Sequence, residues 1–310
     1  MMKEYFFDAD GVKLNYVKGP NNGPALVLLP GQSTTWQSYE PVFEGLSKSF
    51  QVYSLSIRGH GKSDWTTGDY NFNSIGKDLT LFLKKVVKRP AILAGNSSGG
   101  LISLWLGVNR PELANGVVLE DAPLFSADWP QIKKEFVYEV LSKTAKYLGR
   151  EGGADYLGFF NSIRRPLPNG KTKTLPEWLS KVLAWLVYNR ERKLGKIILT
   201  ILPRTLRMLV YILPTFDPDF SRAWVDGRIY KGLDHEKALK KIKAPLLIIH
   251  ANWFRTEKGL IGAMDDNDAK KARRLAPHAK YIQMKTQHVT HSGKPKEFIR
   301  IINEFEREIK

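Results

Sequence analysis

The chain has 310 residues, of which 43% are hydrophobic and 25% charged, and it contains no cysteine. This composition is typical of a folded globular protein and excludes a collagen, a disulfide scaffold and a disordered chain. Without cysteine, covalent catalysis must depend on Ser, Thr, Lys, Asp or Glu. The 48 basic and 31 acidic residues give a net charge of +17, which suits an anionic partner.

Two segments bear on the location of the chain. The N-terminal segment reaches an acid at Glu4 and lacks a long apolar run, so it predicts no secretory signal and favours the cytoplasm. The longest apolar stretch, 197–213, contains Arg204 and Arg207 and is interrupted by Pro203. We therefore expect no transmembrane span.

Short apolar runs of strand length alternate with stretches of helical periodicity near both ends of the chain. The predicted strands are 14–17, 25–29, 51–56, 91–94, 115–120, 245–250 and 280–284, and the predicted helices are 77–87, 101–108 and 268–275. Parallel strands need crossover connections, so this alternation predicts an α/β fold with a mostly parallel, twisted sheet flanked by helices.

The alternation stops between Leu124 and Lys241, where aromatic and basic residues with helical spacing prevail. We expect residues 1–123 and 242–310 to form one core domain and residues 124–241 to form a helical cap. The cap carries 22 basic and 12 acidic residues, which is +10 of the total charge. These charges favour a solvated face, and weak contact with an anionic membrane surface is the alternative. No nucleic-acid recognition motif accompanies them, and the pattern favours no particular oligomeric state.

The segment from Gly95 to Gly99 reads G-x-S-x-G and lies between a predicted strand and a predicted helix. A serine on so sharp a turn has strained backbone, and a side chain at either glycine would clash with the neighbouring strand or helix. The motif predicts Ser97 as a nucleophile. A plain glycine-rich turn or a phosphate-binding helix start is the alternative.

Two other segments can supply the remaining catalytic groups. The turn after the strand 25–29 can aim a backbone N–H at a developing oxyanion, which predicts Gln32 and Ser98 as the two oxyanion donors. His288 follows the last predicted strand and can reach a serine at the carboxyl edge of the same sheet. We predict that His288 is the general base, with His291 as the competing choice.

Taken together, these motifs resemble the α/β-hydrolase superfamily. The matching pieces are Pro30 to Gln32, the turn Arg58 to Asp64, the Gly95 to Gly99 elbow, and Gln287 and His288 with Lys294 and Pro295 behind them. They span the chain outside the cap and are specific for the superfamily rather than for a substrate. Pro30 replaces the commonest His and Gln287 replaces the usual Gly, but neither change removes a required functional group.

The resemblance leaves the acid of the catalytic triad open. Most superfamily members carry it in the loop after the penultimate strand, but here the loop beginning at His250 offers no acid in that place. Asp121 is the first choice, since one branch of the haloalkane dehalogenases has its acid after the strand that follows the nucleophile helix. Asp265 and Asp266 are alternatives, although carboxylates before a helix commonly cap its N–H groups. Glu120 is expected to point to the opposite side.

The resemblance implies a serine hydrolase that cleaves carboxylic esters of apolar or aromatic substrates through an acyl-enzyme, with no metal or organic cofactor. Trp36, Leu124 and Trp129 start nearest the site and are expected to wall the substrate. One alternative is a hydrolase of C–C bonds in aromatic ring-cleavage products, because the segment from Gly95 to Ser97 is similar to the elbow of those enzymes. The other is a non-catalytic ligand receptor on the same scaffold.

Overall fold

The computed structural model describes residues 2–309. Its strands are β1 Glu4–Asp8, β2 Lys13–Lys18, β3 Ala25–Leu29, β4 Gln51–Leu55, β5 Ala91–Asn96, β6 Ala114–Glu120, β7 Arg164–Pro166, β8 Thr172–Thr174, β9 Leu246–His250, β10 Phe254–Thr256, β11 Gly259–Ile261 and β12 Lys280–Gln283. Its α-helices are α1 Glu40–Leu46, α2 Phe72–Phe82, α3 Ser98–Asn109, α4 Phe136–Leu148, α5 Tyr156–Ser162, α6 Glu177–Asn189, α7 Lys193–Ile201, α8 Arg204–Ile212, α9 Pro218–Asp226, α10 His235–Lys241, α11 Asp266–Leu275, α12 Thr290–Gly293 and α13 Pro295–Glu308.

Eight strands form the main sheet, in the order β1-β2-β4-β3-β5-β6-β9-β12. The pairs β1–β2 and β2–β4 are antiparallel and all later neighbours are parallel. The predicted mostly parallel sheet is confirmed. The sequence analysis missed β1, because its consecutive aromatic residues do not alternate with polar ones.

The central strands are buried on both faces, because alternate side chains enter different apolar clusters. In β3, Val27 packs into the cluster that contains α2 and α3 residues. Its neighbours Leu26 and Leu28 pack into the cluster that contains α1 and α13 residues. Period-two alternation of a wholly apolar strand therefore builds a helical layer on each side of the sheet.

The segment for which the sequence predicts a cap contains α4 to α10 and the short β7–β8 hairpin. Helices α5 to α8 share an apolar cluster with the end of α4, which we call the α5–α8 cluster. By contrast, Phe216, Phe220 and Trp224, in and just before α9, are buried in the core cluster. The region of α9 thus packs this segment against the main sheet. Within residues 2–309, no helix combines the length and apolar character needed to cross a bilayer.

Candidate active site

Ser97 occupies the turn between β5 and α3, with φ 55° and ψ −125°. Residues other than glycine rarely adopt positive φ, so this backbone is strained. A Cβ on Gly95 would lie 2.1 Å from the carbonyl carbon of Gly99, and one on Gly99 would lie 2.1 Å from the carbonyl oxygen of Leu29. Both glycines are therefore required for the serine to stand at the end of β5.

The turn after β3 packs directly against this serine. A Cβ on Gly31 would lie 3.1 Å from Cβ of Ser97, so the two backbones are in close contact. Ser98 is the first residue of α3, and its N–H therefore has no acceptor within the helix. Gln32 and Ser98 line the same cavity as Ser97. The structure thus brings both predicted oxyanion donors to the nucleophile.

His60 holds this turn from behind, a role that the sequence analysis did not assign. The N–H of Ser33, which has φ 56°, donates to Nε2 of His60 at 3.1 Å. Nδ1 of His60 lies 3.0 Å from the carbonyl oxygen of Arg58. Burial lowers the pKa of His60 to about 4, so the neutral ring donates through Nδ1 and accepts at Nε2. The contact joins two distant loops, and no local pattern reveals it.

We expect this buried histidine to make stability fall in acid. Its folded-state pKa lies below the unfolded value of about 6.5, so its contribution is complete above that pH and is lost as the pH falls toward 4. The loss should be roughly 3 kcal/mol of unfolding free energy across the window. Urea unfolding of the wild type and of His60→Gln, whose amide can still accept from Ser33, measures it. Equal acid sensitivity of the two proteins would contradict the assignment.

Asp121 and His288 form a close pair. Asp121 directly follows β6, has φ 43° and is 1% exposed. Its Oδ2 lies 2.6 Å from Nδ1 of His288, and its Oδ1 accepts the N–H of Ala251 at 3.0 Å. Burial lowers the pKa of His288, but the hydrogen bond and charge of Asp121 outweigh it, so the pKa is raised. The carboxylate therefore orients the imidazole and stabilises its protonated form.

The histidine loop is tied to the nucleophile turn. Nδ2 of Asn96, the residue before Ser97, donates to the carbonyl oxygen of His288 at 3.0 Å. His288 and Ser97 line one cavity. Within residues 2–309 no hydrogen bond joins the Ser97 hydroxyl to the imidazole, and such bonds often tighten only when substrate binds. The structure therefore gathers Ser97, Asp121 and His288 at the carboxyl edge of the sheet.

The alternative acids have other partners. Asp265 is the N-cap of α11, where its Oδ1 accepts two backbone N–H groups, and its Oδ2 lies 2.9 Å from Nη2 of Arg255. Asp266 accepts from Nε1 of Trp253 at 2.9 Å. Neither aspartate lines the cavity among the residues described. Asp265 therefore caps the helix, as the alternative interpretation expects, whereas Asp266 binds a tryptophan side chain.

The competing histidine is also engaged elsewhere. Nδ1 of His291 lies 2.8 Å from both carboxylate oxygens of Glu120, and both residues are completely buried. Glu120 also accepts from the hydroxyls of Tyr39 and Thr290. This network lies behind the loop that carries His288. It therefore anchors that loop and leaves His291 without access to the nucleophile.

The cavity beside Ser97 measures about 300 Å³. Its wall is largely apolar, and the larger apolar side chains are Ile132, Val137, Val140, Leu141, Trp224 and Leu260. Leu260 lies in β11, and the others lie in the segment between β6 and β9. Such a concave, apolar site with a few polar groups at one end is typical of a small-molecule site.

The residues predicted to wall the substrate lie elsewhere, which corrects that prediction. Trp36 is buried in the cluster under α1 and donates to Glu4. Leu124 is completely buried in the core cluster, and Trp129 packs against Tyr230. The prediction relied on closeness in sequence to the loops of Gln32 and Asp121. In the structure these three side chains pack against other parts of the protein and do not face the cavity.

Comparisons with known proteins bear on the fold of the chain. Residues 24–166 match the family model for the alpha/beta hydrolase fold, a region that includes Ser97 and Asp121. The enol-lactonase from Burkholderia xenovorans superposes with a TM-score of 0.66, at 18% identity, over 98% of this chain and 100% of that one. This chain has the α/β-hydrolase fold. The resemblance inferred from the motifs is confirmed.

Curated relatives of this chain match over shorter segments. The 3-oxoadipate enol-lactonase 1 of Acinetobacter baylyi is 32% identical over 92 residues, which is 30% of this chain and 34% of that protein. The 2-(acetamidomethylene)succinate hydrolase of Mesorhizobium japonicum is 29% identical over 114 residues, or 37% and 41% of the two chains. The chain thus spans about two fifths or less of the length of these relatives.

Within residues 2–309 there is no group of three His, Asp or Glu side chains suited to hold a metal ion. The expectation that the chain needs neither a metal nor an organic cofactor stays a prediction.

Proposed function

We propose that the chain is a serine hydrolase that cleaves carboxylic esters with a neutral, apolar or aromatic acyl group. The observation that carries the proposal is the 2.6 Å contact between Asp121 and His288 beside the cavity of Ser97. A hydroxyl, an oriented imidazole and two backbone donors at one cavity are the groups that acyl transfer requires.

The reaction proceeds in two halves. Nε2 of His288 accepts the proton of the Ser97 hydroxyl as its oxygen attacks the ester carbonyl carbon, and the N–H groups of Gln32 and Ser98 bind the resulting oxyanion. The carbonyl re-forms, the C–O bond breaks, and the alcohol leaves with the proton from His288. Water then attacks the acyl-enzyme with the same histidine as base and releases the acid and free Ser97.

The charge of the cavity wall favours a neutral acyl group. No Lys or Arg lines the cavity among the residues described, and its one carboxylate, Glu135, lies 3.3 Å from Arg255 and accepts the N–H of Leu260 at 2.6 Å. A substrate carboxylate would lose water here without meeting a cation, which is unfavourable. The oxoadipate and succinate compounds in the relatives' names are therefore poor candidates for this chain.

Two unpaired polar atoms suggest where the ester oxygens bind. Oγ of Ser98 and Nε1 of Trp224 are buried and have no hydrogen-bond partner among the residues described. Both residues line the cavity. Unpaired buried polar groups are costly, so a ligand that supplies acceptors to them would bind well. The substrate we infer is therefore apolar in bulk with oxygen atoms near the nucleophile.

Matched aryl esters test this substrate class. We expect kcat/KM for 4-nitrophenyl butyrate to exceed that for the 4-nitrophenyl hemisuccinate by at least about 100-fold, because only the second buries a carboxylate. Val137 lines the cavity and is 41% exposed, so a lysine there should be tolerated by the fold. Val137→Lys supplies a cation and should reduce the ratio of kcat/KM between the two esters, whereas Val137→Met should leave that ratio unchanged. Equal rates on both esters in the wild type would refute a neutral acyl group.

Labelling separates the proposed chemistry from its alternatives. A fluorophosphonate should form one adduct, and peptide mapping should place it on Ser97. A folded protein that stays unlabelled would instead support a non-catalytic receptor. Turnover of a dienoic diketone from aromatic ring cleavage, with no turnover of aryl esters, would point to C–C hydrolysis.

A further inference from the structure

Helix α6 exposes apolar side chains on the side away from the cap interior. Trp178, Val182, Trp185 and Tyr188 are between 38% and 66% exposed. Their spacing of three and four residues places them along one helix face. The opposite face is buried with the α5–α8 cluster through residues such as Leu183. A helix that is apolar on both sides normally has a partner on both sides.

Helix α7 repeats this arrangement. Leu194, Ile197 and Ile201 are 57%, 54% and 80% exposed, whereas Leu199 is buried in the α5–α8 cluster. Scattered exposed apolar residues are ordinary, but stripes on two consecutive helices mark an interaction surface. We call the seven exposed side chains of α6 and α7 the cap outer surface.

Positive charge accompanies the cap outer surface. Residues 177–213 contain seven Lys or Arg and two Glu, a net charge of +5. Arg192 and Lys193, in the link between α6 and α7 and at the start of α7, are exposed. Neither forms an ion pair within residues 2–309. These cations are therefore available to an external anion.

We propose that the cap outer surface docks on an anionic phospholipid bilayer. Trp, Leu and Ile side chains partition into the boundary between headgroups and acyl chains, and the neighbouring cations meet lipid phosphates. A two-fold contact with a second copy would set the same +5 segment against itself, so the charge disfavours self-association. The docking does not depend on the proposed ester chemistry.

Co-sedimentation of the full chain with vesicles tests the proposal. The wild type should bind vesicles of phosphatidylcholine and phosphatidylglycerol in equal parts, and bind pure phosphatidylcholine at least about tenfold more weakly. The triple variant Trp178→Ser, Leu194→Ser, Ile201→Ser should lose at least about tenfold in partition coefficient. The double variant Arg192→Gln, Lys193→Gln should lose at least about tenfold in partition coefficient on the anionic vesicles. Its binding to pure phosphatidylcholine should not change.

Controls keep each result interpretable. Trp65 and Phe6 are 48% and 51% exposed in the core domain, so Trp65→Ser with Phe6→Ser should bind vesicles like the wild type. Circular dichroism and thermal unfolding verify that each variant is folded. The proposal is overturned if the wild type ignores anionic vesicles, if the folded triple variant binds undiminished, or if the triple variant abolishes a dimer seen by ultracentrifugation without lipid.

Discussion

Replacing Ser97 with alanine should lower kcat on a neutral aryl ester by about 10⁴- to 10⁶-fold. The substitution removes the hydroxyl that we propose forms the acyl-enzyme, while the backbone N–H groups of Gln32 and Ser98 remain and sustain a small residual rate. Alanine keeps a Cβ of the same size at the strained turn, so the free energy of unfolding should change little. Steady-state kinetics with urea unfolding of the same sample measure both effects.

A remote serine provides the matched control for this experiment. Ser49 is exposed in the loop before β4, so Ser49→Ala should keep wild-type kinetics. If Ser97→Ala retained more than about a hundredth of the wild-type kcat, a nucleophilic role for Ser97 could not stand.

The sequence predicts best those parts of the site that one short segment determines. The elbow at Ser97 needs glycines on both sides because its neighbours lie about 2 Å from where their side chains would be. The apolar runs that became β3 and β5 are buried on both faces, which gives them a distinctive composition. Local sterics and composition are readable without the rest of the chain.

The remaining features depend on contacts between distant segments. The resemblance favours Asp121 as the acid but leaves Asp265 and Asp266 open. The pairing of Glu120 with Ile249 across β6 and β9 is what brings Asp121 to the N–H of Ala251. The cavity wall depends on how residues 124–241 pack on the sheet, and local sequence does not reveal that Trp36 packs into the cluster with α1 instead. The role of His60 likewise arises only when two turns meet.

The hydrogen bonds of Glu120 explain how a loop can hold His288 in a precise position. Burial raises the pKa of Glu120, but His291, its backbone N–H and Thr290 outweigh that effect, so the pKa is lowered and the carboxylate stays ionised. Three of its donors come from residues 290–291, two and three positions after His288. Asp121 thus holds the imidazole of His288, and Glu120 holds the segment that follows it.

Replacing Asp121 with asparagine should lower kcat by about 10⁴-fold through the tautomer of His288. Oδ1 of Asp121 accepts the N–H of Ala251, and asparagine can satisfy that donor only with its carbonyl oxygen. Its NH₂ group must then face Nδ1 of the imidazole, which becomes an acceptor. The ring proton then lies on Nε2, so this nitrogen can no longer accept the proton of Ser97.

The pH profile distinguishes this mechanism from a loss of structure. The base works when neutral, and Asp121 raises the pKa of His288, so wild-type kcat/KM should fall as the pH drops through a value above the ordinary 6.5 for histidine. In Asp121→Asn the residual activity should titrate at lower pH, because the raising charge is gone. Asp265→Asn keeps the helix cap, because the amide oxygen can still accept the backbone N–H groups, and it removes the ion pair with Arg255. It should therefore cost at most about 1 kcal/mol of stability and leave the profile unmoved. A full rate in Asp121→Asn together with a collapsed rate in folded Asp265→Asn would reverse the two roles.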